Sequence, residues 1–505
     1  MVVCAIFIPV KILSATQVHE LDNYTIAHQR ISSIDLMERA STQFFKWLIQ
    51  AVENDKRLMV FCGKGNNGAD GLAVARMLLE AKYEVKIFVI EHLSKASKDY
   101  ALNLKRLDES KIVFIKTAKQ IPVIKKTDII VDAIFASGLS RAADGISASI
   151  INAINKSKAT VYAVDVPSGL FADKLNSAKD AVVQSTCTFT FHAPKLSFLF
   201  SANGKYVPDF EVLEIGLDKN YAEKFLSDNF YVNKSFVQSL FKKREKFSHK
   251  GDYGHALIAA GSFGKIGAAV LATKAALRSG AGLVTTLVPA CGYDILQTST
   301  PEAMCMVDGD SHLFKVPDLS SFNAIAVGCG IGTNGSSINF VYELLKLNKP
   351  LVLDADALNI ISANKNYLNL IPKGSVLTPH PGEFKHLVGE WKDDEEKLEK
   401  QKQFSKTYEV VVVLKGAHTS VSSADGKIYF NSTGNPGMAK GGSGDVLTGI
   451  IAALIAQNYS ALHAAIIAVY LHGLAGDYAK HELGVTAMKA SDIIYYLPKV
   501  FKSLE

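Results

Sequence analysis

No pair of cysteines in this chain has CxxC spacing. The six, at positions 4, 62, 187, 291, 305 and 329, are scattered through 505 residues. That scatter excludes a disulfide framework and a zinc site and fits a reducing compartment, so a cytoplasmic protein is expected. The apolar start, Met1 to Leu13, has neither a basic n-region nor a small-x-small cleavage site, so no signal peptide is expected. Membrane-length apolar runs are also missing. The most apolar stretch, 446–472, is broken by Gln457, Asn458 and His463 and reads as buried helices. Nor does one charge dominate: 55 Lys and Arg against 49 Asp and Glu leave +6, spread along the chain. The densest basic run is Lys242-Lys243-Arg244 with Lys246. A nucleic-acid binder concentrates its charge on one element with interleaved aromatics, so no nucleic-acid partner is expected. Short-period repeats and low-complexity tracts are absent too.

What remains is a globular composition, 48% hydrophobic and 21% charged, in a chain too long for one ordinary core. In the first half, 58–61, 85–90, 129–132 and 160–164 read as apolar strands alternating with helical patterns such as 72–81, and the β-like runs 186–191 and 210–215 close it. In the second half, 256–260, 283–288, 324–327, 351–353 and 410–414 read as buried strands, separated by helical patterns such as 268–278 and 446–455. Both halves are therefore α/β, with parallel sheets covered on both faces. The polar, Lys-rich stretch 217–246 is the expected junction, giving domains 1–220 and 228–505.

The first half carries Gly63-Lys64-Gly65-Asn66-Asn67-Gly68-Ala69-Asp70-Gly71 between a strand and a helix. Glycines there let a phosphate approach the backbone, and the helix start offers N–H groups. Taken alone, a GxG turn is also a plain strand–helix turn. Two Asn and an Asp supply more side-chain oxygen than such a turn requires. Asp132 and Asp165 end two further strands, and Ser168 follows the second. Each Asp alone reads equally as a cap. In a parallel sheet, however, the carboxyl ends meet one crevice, so Asn66, Asn67, Asp132, Asp165 and Ser168 converge there. Oxygen donors without His or Cys suit a hard cation.

These motifs, GKGNNGADG, DAIFASGL at 132–139 and AVDVPSGL at 163–170, together with the opening KILSATQV at 11–18, resemble the NAD(P)H-hydrate epimerases over roughly residues 9–220. The resemblance implies a Rossmann-like parallel-sheet domain and a potassium ion held by Asn67, Asp132 and Ser168. It also implies a hydrated dinucleotide contacted by Asn66, Asn67, Gly68, Ala69 and Asp70, by Asp165, and by the loop Ala136, Ser137, Gly138, Leu139, Ser140, Arg141 and Ala142. Lys195 matches a lysine that points into the family's site, so Asp165 and Lys195 are its candidate acid and base. Ala69 and Ala136 stand where glycine is usual, which adds methyl groups near bound phosphate or ribose. Phe171-Ala172-Asp173-Lys174 departs from the usual VDADTG-like continuation.

In the second half, Gly441-Gly442-Ser443-Gly444 leads into a helix starting near Asp445. Consecutive N–H groups at a helix start form an anion hole for a transferring phosphoryl group, and Asp445 beside it can accept a hydroxyl proton. A helix cap after a flexible turn is the plain alternative. Lys415-Gly416-Ala417-His418-Thr419 follows another strand and can receive a nucleotide, although Lys415 reads equally as a solvated loop lysine. In Thr378-Pro379-His380-Pro381-Gly382-Glu383 the prolines restrict the chain around His380. Asp354 and Asp356, at a further strand end, either serve Mg²⁺ or cap the loop.

LTPHPGE at 377–383, LKGAHT at 414–419, GNPGMAKGGSGDVLTG at 434–449 and the segment 261–285 resemble the ADP/ATP-dependent NAD(P)H-hydrate dehydratases, from about Asp228 to Phe501. The resemblance implies a ribokinase-like α/β domain. In it Ala268, Gly330, His380 and Asp445 meet the hydrated cofactor, and Lys415, Gly416, Ala417, His418, Thr419 and Gly444 hold the adenylate. Lys440 stands where Thr is common, and Gly328-Cys329-Gly330-Ile331-Gly332 replaces a GPGLG-like turn. Fused to an epimerase, the domain resembles the type that uses ADP, with Mg²⁺. The substrates implied are NADHX and NADPHX, in a homo-oligomer without a membrane partner. A vitamin or sugar kinase fused to a non-catalytic nucleotide-binding module is the alternative.

Overall fold

The structure is a computed structural model that describes residues 9–91 and 95–505. Residues 1–8 of the apolar start, Cys4 among them, lie outside the described residues. Contacts divide the described residues into two compact units, one of Lys11–Ser227 and one of Asp228–Glu505 with Pro9 and Val10.

The first unit holds a seven-stranded sheet. In spatial order its strands are Ile112–Ile115, Val85–Ile90, Leu58–Cys62, Ile129–Ala133, Thr160–Val164, Cys187–Phe191 and Phe210–Leu213. Every neighbouring pair is parallel. The apolar runs form strands because both faces are covered: Leu58, Val60 and Cys62 enter one buried cluster, while Met59 and Phe61 enter another on the opposite face. Chain order runs outward from Leu58–Cys62 in one direction and from Ile129–Ala133 in the other. The switch point therefore lies between these two strands, and their carboxyl ends flank a crevice. Register pairs Phe61 with Asp132 and Asp132 with Ala163, so Asp132 lies one residue from the end of its strand, at that crevice. The helix after the glycine loop begins at Asn66 rather than near Leu72. Gly68 allows this: a Cβ there would lie 1.8 Å from the Gly63 carbonyl oxygen.

The second unit has strands Asn229–Val232, Ile428–Asn431, Ser420–Ser422, Val411–Leu414, Val376–Leu377, Val352–Leu353, Ala324–Val327, His255–Ala259, Leu283–Val288 and Met304–Val307, in that spatial order. From Val411–Leu414 to Met304–Val307 all pairings are parallel. The expectation of a purely parallel sheet fails at the other end, where Ser420–Ser422 pairs antiparallel with both its neighbours. That hairpin is short, serine-rich and turned at Asp425-Gly426, so it carries no long apolar run to announce it. The polar stretch 217–246 also carries regular structure, including Asn229–Val232 and the helix Lys234–Leu240. The switch point lies between His255–Ala259 and Ala324–Val327.

The apolar stretch 446–472 lies in helices Ser443–Ala456 and Ala461–Ala487, both deep in one core cluster. No helix of the described residues is long and apolar enough to cross a membrane. Helix Ser443–Ala456 presses against helix Ile266–Arg278 so closely that a Cβ on Gly449 would meet the Ala272 carbonyl oxygen at 2.1 Å. This contact sets the depth of the helix whose first turn holds Gly444 and Asp445. Gly449→Ala should therefore destabilise the protein by about 1–3 kcal/mol, as overpacking does. Gly267→Ala, where a Cβ meets nothing within 4 Å, should not. Thermal unfolding of the two variants beside the wild type checks this.

Candidate active sites

In the first unit, Asp132 is wholly buried at its strand end. Its carboxylate accepts from the Ser168 backbone N–H at 2.7 Å and from the Ser168 hydroxyl at 2.6 Å. The same hydroxyl accepts from the Phe135 N–H at 2.9 Å, and Asn67 Nδ2 donates to the Phe135 carbonyl at 2.6 Å. Asn67, Asp132 and Ser168 thus share one network across three strand ends. Among the described residues no lysine or arginine pairs with Asp132. Burial raises its carboxyl to about 6, against the opposing hydrogen bonds from Ser168 and Ile134.

Beside it, Asp165 has a left-handed backbone, φ +62°, which a residue with a Cβ adopts only at some cost. Its carboxylate forms an ion pair with Lys195 at 2.9 Å and accepts from the Thr190 hydroxyl at 3.2 Å. Lys195 is only 2% exposed. Sequence reasoning missed a third carboxylate. Asp22, on helix Ala15–Gln29, is raised to about 7 by burial and then by the charge of Asp165, with Lys195 opposing. Asp70 is raised as well, by burial first and then by Asp165, although the Ser41 hydroxyl donates to it at 3.2 Å. Nothing in the spacing of Asp22 marks it, since it enters the crevice from a helix far along the chain.

Of the loop residues, Gly138, Ser140 and Arg141 are exposed, while Ala136, Ser137, Leu139 and Ala142 are half-buried. Asn66 is exposed at the helix start. The Ala69 methyl is fully buried in the core cluster. The helix begins early enough to turn that position inward.

In the second unit, helix Ser443–Ala456 starts two residues before Asp445, capped by Gly442 at φ +92°. Asp354, 2% exposed, holds the centre. It forms an ion pair with Lys415 Nζ at 3.0 Å and accepts from the Thr448 hydroxyl at 2.8 Å, which keeps its carboxyl below the usual range despite burial. Lys415 is therefore a tethered, half-buried lysine and not a solvated one. Asp356 instead accepts from the Gly332 N–H at 2.8 Å and faces Lys265 at 3.6 Å. Asp445, Asp354 and the Cys329 thiol place ligand atoms within 4.8 Å of one another. Burial and then the charge of Asp354 push the Asp445 carboxyl up to about 6.

Gly444 stands over this group, where a Cβ would lie 3.4 Å from Lys415 Nζ. Gly416 and Ala417 are exposed at the end of strand Val411–Leu414, with His418 and Thr419 half-buried behind them. His380 caps helix Pro381–Val388. Its ring accepts from the Glu383 N–H at 3.2 Å while Glu383 accepts from the His380 N–H at 2.8 Å, so a capping box adds to the proline restraint. Gly330 packs on Ala268, its Cβ position 3.1 Å from the Ala268 methyl. A residue the sequence did not signal, His472, donates from Nε2 to the Ser443 carbonyl at 2.9 Å and braces the first helical turn. Burial lowers its pKa to about 4, so the ring is neutral.

Comparisons with known proteins bear on both units. A family profile described as YjeF-related protein N-terminus matches residues 33–197, and one described as NAD(P)H-hydrate dehydratase matches residues 256–499. The bifunctional NAD(P)H-hydrate repair enzyme of Moorella thermoacetica is 36% identical, covering 98% of this chain and 97% of that protein. The enzyme of the same description from Coxiella burnetii is 33% identical, covering 95% and 97%. A solved ADP/ATP-dependent NAD(P)H-hydrate dehydratase from Bacillus subtilis, co-crystallised with ATP and Mg²⁺, is 32% identical with a TM-score of 0.46, over 54% of this chain and 98% of that one.

The Lys415–Asp354 pair generates a stability prediction. Lys415→Met leaves a buried carboxylate without its counter-charge and should cost roughly 3–5 kcal/mol. Asp354 has a lowered carboxyl in the folded state. Its contribution is therefore present above the unfolded carboxylate pKa and is lost as pH falls through the folded one. The gap between variant and wild type should accordingly narrow in acid. Denaturant unfolding at neutral pH and in acid reads both effects.

Proposed function

The chain belongs to the family of bifunctional NAD(P)H-hydrate repair enzymes, and on that premise we propose how its two units divide the work. Residues 1–220 act as the epimerase, interconverting the R and S hydrates of NADH and NADPH. Residues 228–505 act as the dehydratase, consuming the S hydrate with ADP and yielding NAD(P)H, AMP and phosphate. The observation that carries the reading is Asp445, a carboxylate beside a glycine-rich helix start.

The hydrate carries a hydroxyl on its saturated pyridine ring, and hydroxide is a poor leaving group. Asp445 accepts the hydroxyl proton as the oxygen attacks the terminal phosphorus of ADP, and AMP departs. The N–H groups of Gly441 to Gly444 face the charge that develops on the transferring group. The ring nitrogen's electron pair then expels phosphate, and the loss of a proton from the adjoining carbon restores the dihydropyridine. Lys415, Gly416, Ala417, His418 and Thr419 hold the adenylate, and Ala268, Gly330 and His380 the hydrate. The trio Cys329, Asp354 and Asp445 does not suit Mg²⁺: a thiol is a soft donor and Asp354 is already paired with Lys415. Mg²⁺ belongs with the phosphates of the nucleotide.

In the epimerase unit, Asp165 and Lys195 share acid and base roles at the hydrated carbon. A potassium ion fits Asn67, Asp132 and Ser168, because the donors are all oxygens and, among the described residues, no cationic side chain pairs with the buried Asp132 carboxylate. It would supply a fixed positive charge that orients phosphate. The free cysteines 62, 187, 291, 305 and 329 support a cytoplasmic setting, and a homo-oligomer remains the expectation.

The test is recovery of dihydropyridine absorbance from a mixture of both hydrate epimers with Mg²⁺ and ADP. Wild-type protein should convert the whole mixture, with AMP as product and ADP far better than ATP. Asp445→Asn should abolish recovery while epimers still exchange. Lys195→Ala should slow the exchange by roughly 10²–10⁴-fold, leaving the R form behind. Equal use of ATP, or more than a tenth of the rate retained without Asp445, would overturn the assignment.

A pH dependence follows from Asp445, which must be ionised to accept the proton. Its raised carboxyl places an acid limb near pH 6 on the kcat/KM of dehydration. A profile flat down to the ordinary carboxylate range would remove Asp445 as base.

A further inference from the structure

The loop from Thr433 to Gly442 joins strand Ile428–Asn431 to helix Ser443–Ala456 and carries glycines placed above at the transferring phosphoryl group. Glycine-rich backbone has many conformers to lose, so its N–H groups converge on one point only if something else fixes them. The first turn of a helix adds to the difficulty, because its N–H groups have no partners within the helix and the turn frays. An anion hole, in contrast, acts through donors fixed before the reaction begins.

Helix Ala461–Ala487 supplies the fixing surface. At the start of the loop the Thr433 hydroxyl donates to the Tyr470 carbonyl at 2.9 Å. The Asp477 carboxylate accepts from the Gly434 N–H and from the Asn435 side-chain amide, each at 2.9 Å. Further along, Lys440 Nζ donates to the Thr486 and Met488 carbonyls at 2.5 and 2.6 Å, at the end of the same helix. The backbones approach closely as well. A Cβ on Gly473 would meet Thr433 Oγ1 at 2.2 Å, and one on Gly476 would meet the Met438 sulfur at 2.3 Å. The far end of the loop returns to this helix, where His472 Nε2 donates to the Ser443 carbonyl at 2.9 Å and has the Ser443 hydroxyl at 3.3 Å. His472, Gly473, Gly476 and Asp477 fall at the three- and four-residue spacing of one helix face.

His472 is the anchor nearest the chemistry. A trans peptide unit is planar, and its carbonyl and N–H point in opposite directions. The Ser443 carbonyl shares its plane with the Gly444 N–H. Pinning that carbonyl to the imidazole therefore directs the Gly444 N–H the other way, out of the helix start. A carbonyl partner requires the proton on Nε2. The ring is otherwise uncharged: burial disfavours its cation first, with the Ser443 carbonyl opposing and Lys415 adding.

We propose that His472 is a positioning residue for phosphoryl transfer, holding the Ser443–Gly444 peptide so that the Gly444 N–H meets the transferring group. His472 acts through the backbone and touches neither nucleotide nor hydrate. The proposal rests on the dehydratase reading of the second unit and adds to it the residue that sets the anion hole.

The experiment compares the full-length wild type with His472→Ala, His472→Gln and His472→Asn in dehydration of the S hydrate with ADP and Mg²⁺. A Gln amide reaches the position of Nε2 and keeps a neutral donor there, whereas an Asn amide falls short. In the Ala and Asn variants kcat should fall about tenfold, the scale of one lost hydrogen bond, with KM for ADP and for the hydrate within about twofold. His472→Gln should bring kcat back to within about twofold of wild type. Unchanged kcat in the Ala variant, a loss carried by KM instead of kcat, or equal losses in the Gln and Asn variants each overturns the proposal. If the Ala variant does not fold, the Gln and Asn pair decides alone. Amide hydrogen exchange over residues 443–449, read by mass spectrometry without substrate, should be faster in His472→Asn than in wild type and in His472→Gln. Equal exchange in all three overturns the anchor. Failure of the wild type to dehydrate the hydrate sinks the dehydratase reading instead, and exchange still tests the anchor.

Discussion

Each unit buries an aspartate at the carboxyl end of a parallel strand, and what surrounds it is shaped by the need to compensate that charge. Removing a carboxylate from water costs several kcal/mol unless opposite charge or hydrogen bonds replace the solvent. The second unit meets this cost with a cation: Lys415 reaches Asp354, Thr448 adds a hydroxyl, and the carboxyl stays ionised. Among the described residues of the first unit the donors to Asp132 are neutral, the Ser168 N–H and hydroxyl and the Ile134 N–H, and burial raises the carboxyl to about 6. The same strand-end position therefore carries a self-contained ion pair in one unit and a carboxylate held by neutral hydrogen-bond donors in the other.

This difference propagates outward. Burial first, and then the negative charge of Asp354, raises the Asp445 carboxyl. The helix start carrying Asp445 is positioned from behind by Gly449 against Ala272 and from the side by His472 on Ser443. In the first unit the corresponding tension lies between carboxylates. Asp165 pairs with the buried Lys195, Asp22 feels both of those charges, and Asp70 is raised by burial and by the charges of Asp165 and Asp22. Backbone strain at Asp165 persists because the Phe189 carbonyl, the Thr190 hydroxyl and Lys195 all hold it.

Glycine in these loops works mainly by omission. Gly68 is required because the Gly63 carbonyl occupies the space of its side chain, and that contact starts the helix at Asn66. The early start explains why Ala69 is a core residue.

The sequence by itself determined the two α/β halves, since unbroken apolar runs such as 85–90, 160–164 and 283–288 can be satisfied only between covered faces. It also determined the strand-end residues, because a motif that follows a parallel strand must open into the crevice. Only the tertiary structure decided which charges meet. Asp22 and His472 lie on helices Ala15–Gln29 and Ala461–Ala487, and the groups that act on them are remote in sequence. The antiparallel hairpin at 420–431 was equally hidden, because three or four residues of serine and mixed polarity leave no period to detect. The tether of Lys415 to Asp354 likewise exists only once strands Val411–Leu414 and Val352–Leu353 take their places in the sheet. Spacing along the chain reports the face of an element, whereas the distance between charges on different elements is set by how those elements pack.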